Sequence, residues 1–377
     1  MELSIVIPTF NEKENVQTIV ERIDRTLAPV GCEYEIWFID DSKDDTPQTL
    51  AALSQKHKHV HYVHRENERG LGTAVVEGFR RSSGKYIVVM DADLQHPPEL
   101  LSTILERLRE GIDVVIPSRF VPGGSDGGLN AFRKLVSWTA RKIGQLAIKR
   151  LRSISDCTGG YFGLHRDVIK DAKLNPIGWK ILMEVLVNGH YETVHEIPYS
   201  FQARDAGESK MSLREQWNYL KHIGTLLWNS PEDRRFYVFC MVGALGVVVN
   251  LIMMSVCLYV FHIKTVAWAS IISSLVAMVH NFLWNDKVTW GKEHAHPVKW
   301  RRALQMPMFV LVSSVGIAIT ALVAHIFHQL HWHALFGQCI GIIVATAWSF
   351  TANNKFTWAT PAEKKKKVKR KIRVTHE

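Results

Sequence analysis

Three stretches of this chain contain no Asp, Glu, Lys or Arg at all: Phe236 to Ile263, Thr265 to Asn285, and Ala303 to Asn354. Such runs leave little structural choice, because a backbone surrounded by hydrocarbon must satisfy its own hydrogen bonds, and about 20 apolar residues in a helix span a bilayer. The third run is long enough to cross twice, with a turn near His328-Gln-Leu-His-Trp-His333. The expectation is four transmembrane helices.

Charge orients them. The loop between the second and third spans holds Lys287, Lys292, Lys299, Arg301 and Arg302, whereas the loop between the third and fourth holds histidines and neither Lys nor Arg. By the positive-inside rule the region before the spans, the basic loop and the C-terminus are cytoplasmic, in an integral protein of the cytoplasmic membrane. After Pro361 come eight Lys and Arg against Glu363 and Glu377, which places +6 of the formal +10 in the tail. A tail of that kind is expected to lie on anionic lipid, at about 1 kcal/mol per basic residue. With four spans tethering it, nucleic acid is not the expected partner. Met1 to Ile7 leads directly into a strand with no basic start or cleavage site, so no cleaved leader is expected. The five cysteines are scattered, three of them (Cys240, Cys257 and Cys339) inside spans, and suggest neither a disulfide frame nor a zinc site.

The spans repeat internally. Phe282-Leu-Trp-Asn-Asp-Lys-Val-Thr-Trp290 ends the second, and Phe350-Thr-Ala-Asn-Asn-Lys-Phe-Thr-Trp358 ends the fourth, giving two hairpins of like orientation. Asn250 and Asn281 are expected to bond across helices. No acid or base lies deep in a span, so this half reads as an anchor.

The first half alternates strand and helix signals. Ser4 to Ile7 is a short apolar strand stopped by Pro8, after which Asn11 is placed to cap a helix with Glu14 three positions on and Val16, Ile19, Val20 and Ile23 along one face. Glu35 to Ile39 is a strand ending in Asp40-Asp41-Ser42. Thr46 to Gln55 is its helix. His59 to His64 is the third strand, and Gly70-Leu71-Gly72 opens a helix, its glycines serving close packing or a phosphate, with packing favoured. Lys85 to Met90 is a buried strand, Pro98 to Glu110 a helix, and Asp113 to Pro117 a fifth strand ending at Ser118-Arg119. This alternation predicts an α/β fold with a mainly parallel sheet, and no G-x-G-x-x-G marks an ordinary dinucleotide site. Beyond it come a loop, Val121 to Gly128, a basic helix with Arg133, Lys134, Arg141, Lys142 and Lys149, the segment Asn175 to Lys180, and a strand from Thr193 to Ile197. Arg204 to Lys210 forms a loop equipped to fold over an anion. The helix from Ser212 to Trp228 suits either the bilayer surface or the sheet.

Chemistry concentrates at Asp91-Ala92-Asp93-Leu94-Gln95. These residues follow a buried strand, at the end where open α/β sheets bind ligands. Carboxylate and amide oxygens are hard donors suited to Mg²⁺ or Mn²⁺, which keep positions open for phosphate oxygens. Both acids reach one ligand only if the chain bends, and His96-Pro97-Pro98 favours a bend.

Together, Pro8-Thr-Phe-Asn-Glu12, Asp40-Asp41, Asp91 to Glu99, Ser118-Arg119, Asn175-Pro-Ile-Gly178 and Arg204-x-x-Gly-Glu-Ser-Lys210 resemble the dolichol-phosphate mannosyltransferases, inverting enzymes of glycosyltransferase family 2 with a GT-A fold. The membrane half resembles the GtrA-type four-helix module. The resemblance implies a GT-A domain over 1–211, an amphipathic interface region over 212–235, the four-span domain over 236–358 and a basic tail over 359–377. It implies that Pro8, Phe10, Glu12, Ile39 and Asp41 hold the nucleotide, with Asp91, Ala92 and Asp93 on the sugar diphosphate. Asp91, Asp93 and Gln95 would hold the divalent ion; Arg119, Arg133 and Ser137 the lipid phosphate; Arg204 and Lys210 would close over both phosphates. Asp93, Arg119, Arg133, Arg204 and Lys210 would then carry catalysis. Departures from the family pattern are Phe10 for Tyr, the shortened Asp41-Ser42-Lys43, and Thr158-Gly-Gly-Tyr161. The implied reaction moves mannose from GDP-mannose to a polyprenyl (dolichyl) phosphate. A glucosyltransferase using UDP-glucose shares most of these motifs, and a non-catalytic flippase or binding protein is the rival of another class.

Overall fold

The computed structural model describes residues 1–127, 131–201, 213–291, 302–359 and 372–376. The chain forms two compact units, Met1–Ser230 with Lys371–Glu377, and Pro231–Arg370.

The first unit is built on eight strands: β1 (Leu3–Thr9), β2 (Tyr34–Asp40), β3 (Val60–His64), β4 (Tyr86–Val89), β5 (Val114–Ser118), β6 (Phe162–His165), β7 (Thr193–Pro198) and β8 (Arg373–His376), ordered β3-β2-β1-β4-β6-β5-β7-β8. β6 runs antiparallel to both its neighbours, and every other pairing is parallel. Helices cover both faces. In β4, Ile87 and Val89 pack with α3 (Leu71–Arg81) and α6 (Ile181–Asn188), whereas Tyr86 and Val88 pack with α1 (Val16–Leu27) and α4 (Leu101–Arg109). That period-two division of a strand apolar throughout is what a sheet buried on both sides requires. Each fully buried Ile or Leu in these layers contributes about 1.5–3 kcal/mol. Between α1 and α4 in sequence lies α2 (Thr46–Lys56), and α5 (Ala131–Ala147) follows β5.

Three details differ from the sequence reading, and a fourth selects between its alternatives. Helix α1 starts at Val16, not behind Asn11, because Asn11 adopts a left-handed backbone (φ 56) and its Oδ1 instead accepts from the Lys43 amide at 2.9 Å. β6 is absent from the reading, its four residues being too short a run to register. The basic tail, expected on lipid, ends as a strand. Ile372 and Val374 pack against the core, and Arg373 N donates to Glu192 O at 2.8 Å, so alternation outweighs charge there. Helix α7 (Leu213–Asn229) buries Tyr219, Ile223 and Leu226 in the core of the sheet unit and leaves Trp217, Leu220 and Trp228 exposed. Contacts thus place it with the first unit, one of the two placements its sequence suits, with an apolar face left exposed.

The second unit has four helices long and apolar enough to cross a membrane, over Pro231–Val260, Val266–Trp290, Gln305–Gln329 and Leu335–Thr357. Their outer faces expose Leu245, Leu251, Ile317 and Ile343. Asn250 Nδ2 donates to Ser274 Oγ at 3.2 Å, the cross-helix bond expected of it. The internal repeat is also structural. The second and fourth spans both finish in a π-helical turn, and in each an Asn side chain accepts from a Thr one turn on, Asn285 from Thr289 and Asn353 from Thr357. Trp290 and Trp358, equivalent in the repeat, stack with centroids 4.0 Å apart.

Candidate active site

The parallel strands β1, β2, β4 and β5 end at one edge of the sheet, and each delivers a piece of the site there. From β1 come buried Pro8, then Phe10 and Glu12. Arg69 lies over the Phe10 ring at 5.8 Å, and the Glu12 carboxylate accepts from Asn15 Nδ2 at 2.7 Å. From β2 come Ile39, wholly buried beneath α3, and the two acids after it. Asp40 pairs with His64 Nδ1 at 2.7 Å. Asp41 accepts both arms of the Arg65 fork, at 2.7 and 2.6 Å, and the Gly70 amide at 3.0 Å. Its two oxygens therefore serve first to anchor the loop that opens α3. Gly72 serves packing: its amide donates to Gly178 O at 3.2 Å, and a Cβ would meet Pro176 at 2.7 Å, whereas Gly70 is required by its backbone, with φ 132.

From β4 come Asp91 to Gln95. The bend that the reading placed at the prolines is at Leu94 (φ 59). Asp91 is one-third exposed (33%), while Ala92, Asp93 and Gln95 are buried. The Asp93 carboxylate accepts from the Gln95 amide at 3.2 Å, and the Asp91 amide donates to His96 Nδ1 at 3.1 Å. The His96 ring in turn stacks on Tyr161, so the loop is held from below. Two carboxylates and an amide oxygen at the open end of a buried strand form a donor set that fits a hard divalent cation.

From β5 comes Arg119. Its Nε and Nη2 donate to the two oxygens of buried Asp156 at 2.8 and 3.0 Å, and its guanidinium lies 5.4 Å from the Phe201 ring centroid. Burial disfavours the cation, but Asp156 outweighs that and holds Arg119 charged, its pKa raised. The segment bearing Asp156 is fixed by Glu196 on β7, which accepts from the amides of Ser155 and Asp156, both at 3.0 Å. That segment continues to Gly160, where a Cβ would stand 3.1 Å from Asp91 Oδ2. Lys180 Nζ donates to Thr158 O at 3.0 Å, and burial with the nearby Arg119 charge pushes its pKa down. Burial raises the Cys157 thiol to about 12, so it is inert as a nucleophile.

Asp156, Glu196 and Arg65 were not singled out from sequence, and Lys180 only as the end of the segment Asn175 to Lys180. The one signal was the acid preceding Thr158-Gly-Gly-Tyr161, a segment noted there only as a departure. Ser137 lies half-buried on α5, and Arg133 is on the same helix with its side chain outside the described residues. Arg204 and Lys210 also lie outside the described residues.

A mainly parallel sheet under two layers of helices, with an acidic set on its C-terminal edge beside a compensated cation, is the GT-A architecture of a glycosyltransferase. Residues 4–172 match the model of glycosyl transferase family 2, and residues 238–358 match the GtrA/DPMS transmembrane domain. Along 96% of its length the chain is 36% identical to all of the dolichol-phosphate mannosyltransferase of Pyrococcus furiosus. Over 60% of its length it is 32% identical to 87% of the dolichol-phosphate mannosyltransferase of Saccharomyces cerevisiae. A solved structure, glucosyl-3-phosphoglycerate synthase from Mycobacterium tuberculosis in complex with Mn²⁺, UDP and glucosyl-3-phosphoglycerate, shares 17% identity at a TM-score of 0.45, over 61% of this chain and 79% of that one. The chain belongs to the dolichol-phosphate mannosyltransferase branch of glycosyl transferase family 2, and it is a membrane protein.

Proposed function

We propose that the protein transfers mannose, with inversion, from GDP-mannose to a polyprenyl phosphate such as dolichyl phosphate at the cytoplasmic face of the membrane. The observation that carries this reading is the alignment with the Pyrococcus enzyme through both halves of the chain. Sidedness is supported by the Lys and Arg of the loop before the third span.

The chemistry is in keeping with the residues. An alkyl phosphate has a second pKa of about 6 and is largely dianionic at neutral pH, so its oxygen can attack the anomeric carbon without a general base. The obstacle is electrostatic, since one anion must approach another while charge builds on the departing diphosphate. Mg²⁺ or Mn²⁺, held by Asp91, Asp93 and Gln95, would supply Lewis-acid stabilisation of that diphosphate. Arg119, kept ionised and oriented by Asp156, lies beside this edge and is assigned to the acceptor phosphate, to which the N–H groups of its fork not taken by Asp156 can donate. Arg133 and Ser137, on α5, are assigned to the same phosphate, and Arg204 and Lys210 to closing over the donor. Phe10, Glu12 and the loop anchored by Asp41 are assigned to the nucleotide.

The test is a transfer assay with purified protein, polyprenyl phosphate and radiolabelled donor. Label from GDP-mannose should appear in extractable lipid, and UDP-glucose should give little. Preference for UDP-glucose would reassign the donor, and no transfer from either would end the catalytic reading in favour of a binding or flipping role.

A further inference from the structure

At the opposite edge of the sheet, three side chains that the proposed reaction does not use converge. Asp24 lies in the last turns of α1, His57 follows the end of α2, and His59 precedes β3. His59 Nε2 is 2.9 Å from Asp24 Oδ1, and His57 Nδ1 is 3.5 Å from Asp24 Oδ2. One ligand atom from each residue falls within 4.8 Å of the other two, the only such group of three His, Cys, Asp or Glu among the described residues.

We propose that Asp24, His57 and His59 form a binding site for a borderline divalent cation of the Zn²⁺ class, separate from the Asp91 set. The donors decide the class. Two imidazoles and one carboxylate are the ligands of a tetrahedral zinc ion with its fourth position open to water, whereas Mg²⁺ favours oxygen. Metal–ligand bonds of about 2.0–2.1 Å in a tetrahedron place ligand atoms about 3.3 Å apart; the two histidine nitrogens stand 2.9 and 3.5 Å from different oxygens of Asp24, and a bound ion would draw one atom of each residue together from within 4.8 Å. The two rings stand nearly perpendicular, at 88°, with centroids 5.7 Å apart. A supporting hydrogen bond is in place: Tyr34 Oη donates to Asp24 Oδ1 at 2.7 Å, and the Tyr34 ring meets that of His59 edge-on. All three side chains are partly exposed, so an ion can enter.

Val60 pairs with Ile36, so His59 stands level with Glu35, five positions before Asp40 along β2, and the cation sits more than about 15 Å from the transfer site. It takes no part in the reaction. Its effect is to tie the ends of α1 and α2 to the start of β3, closing the nucleotide half of the sheet at its far edge.

Co²⁺ is the probe. Tag-free, full-length protein in detergent, with excess Mg²⁺ to fill hard-oxygen sites, is titrated with Co²⁺ and read by visible absorption. The expected result is one Co²⁺ per chain with the intense bands of four-coordination, displaced by one equivalent of Zn²⁺. His57→Gln, His59→Gln and Asp24→Asn should each weaken binding at least tenfold and lose those bands. His61→Gln, whose ring stacks on Trp37 outside the cluster, should not. Metal-free melting curves confirm that each variant folds, and Asp24→Asn keeps the shape of the site should a histidine variant fail to. Unchanged bands and affinity in the folded variants, the weak absorption of six-coordination, or no uptake would overturn the proposal.

Discussion

The Arg119 fork grips both carboxylate oxygens of Asp156, across 37 positions of sequence, and the pair is almost shut from solvent, with side-chain exposures of 9% and 0%. An ion pair this dry is held by mutual compensation. Removing one partner strands the other's charge, at about 3–5 kcal/mol. Asp156→Ala should therefore lower the melting temperature of the sheet unit by about 10 °C. An Arg119→Met, Asp156→Met double variant should recover most of that stability and still fail to transfer sugar, because the cation is gone. A double variant as unstable as the single one would show that the pair matters for shape and not for charge.

Asp93 is buried yet lies on the loop that opens at the sheet edge, as a ligand facing a bound ion must. Asp93→Ala should cut transfer by about a hundredfold or more, the scale of several kcal/mol of charge stabilisation. EDTA should do the same to the unaltered protein, reversibly on adding Mn²⁺. Half the activity retained in the variant, with an unchanged Mn²⁺ requirement, would remove Asp93 from the ion.

What was legible in sequence follows from range. Asp91 and Asp93 could be placed because the strand that carries them is apolar throughout and the prolines after it end it, all within a dozen residues. The spans were legible for a similar reason, since absence of charge is a local property. Arg65 on Asp41 and Asp156 on Arg119 were not, because pairing across 24 and 37 positions is decided by which strands become neighbours. β8 was hidden differently. Its alternation, Arg373-Val-Thr-His376, covers four residues inside a strongly basic tail, and the sheet edge that receives it is a property of the fold. Asn11 misled because the motif of a cap was present, while the loop after β2 claimed its side chain first.

Gly160 shows what the second segment does for the first. A Cβ there would stand 3.1 Å from Asp91 Oδ2 and 3.3 Å from His96 Cε1, tight enough to displace the carboxylate by a few tenths of an ångström. Gly160→Ala should thus lower turnover by about tenfold, since misplacement of about 1 Å costs about a hundredfold. The concentration of Mn²⁺ needed for half-maximal activity should rise while the melting temperature barely moves. Normal metal dependence with lost stability would mean that the glycine serves packing alone.

Glu35 supplies a test of the fold in acid. It is buried on β2, where its Oε1 accepts from Ser4 Oγ at 2.6 Å, the Ser83 amide at 2.6 Å and Ser83 Oγ at 3.0 Å, tying β1 and β2 to the turn before β4. Burial opposes its ionisation, but these hydrogen bonds prevail and hold the carboxyl below its ordinary value of 4.5. A carboxyl with a depressed folded-state pKa binds fewer protons folded than unfolded. It therefore adds stability that is complete above the unfolded value and fades as pH falls through the folded one. Glu35→Gln keeps the shape and removes the charge, so the variant should melt lower at pH 7, by the equivalent of about 1–2 kcal/mol. Thermal melts from pH 7 down to 3 should show the two curves converging below about pH 4.5. A gap that stays constant or widens in acid would mean that Glu35 is held by packing and that its charge contributes nothing.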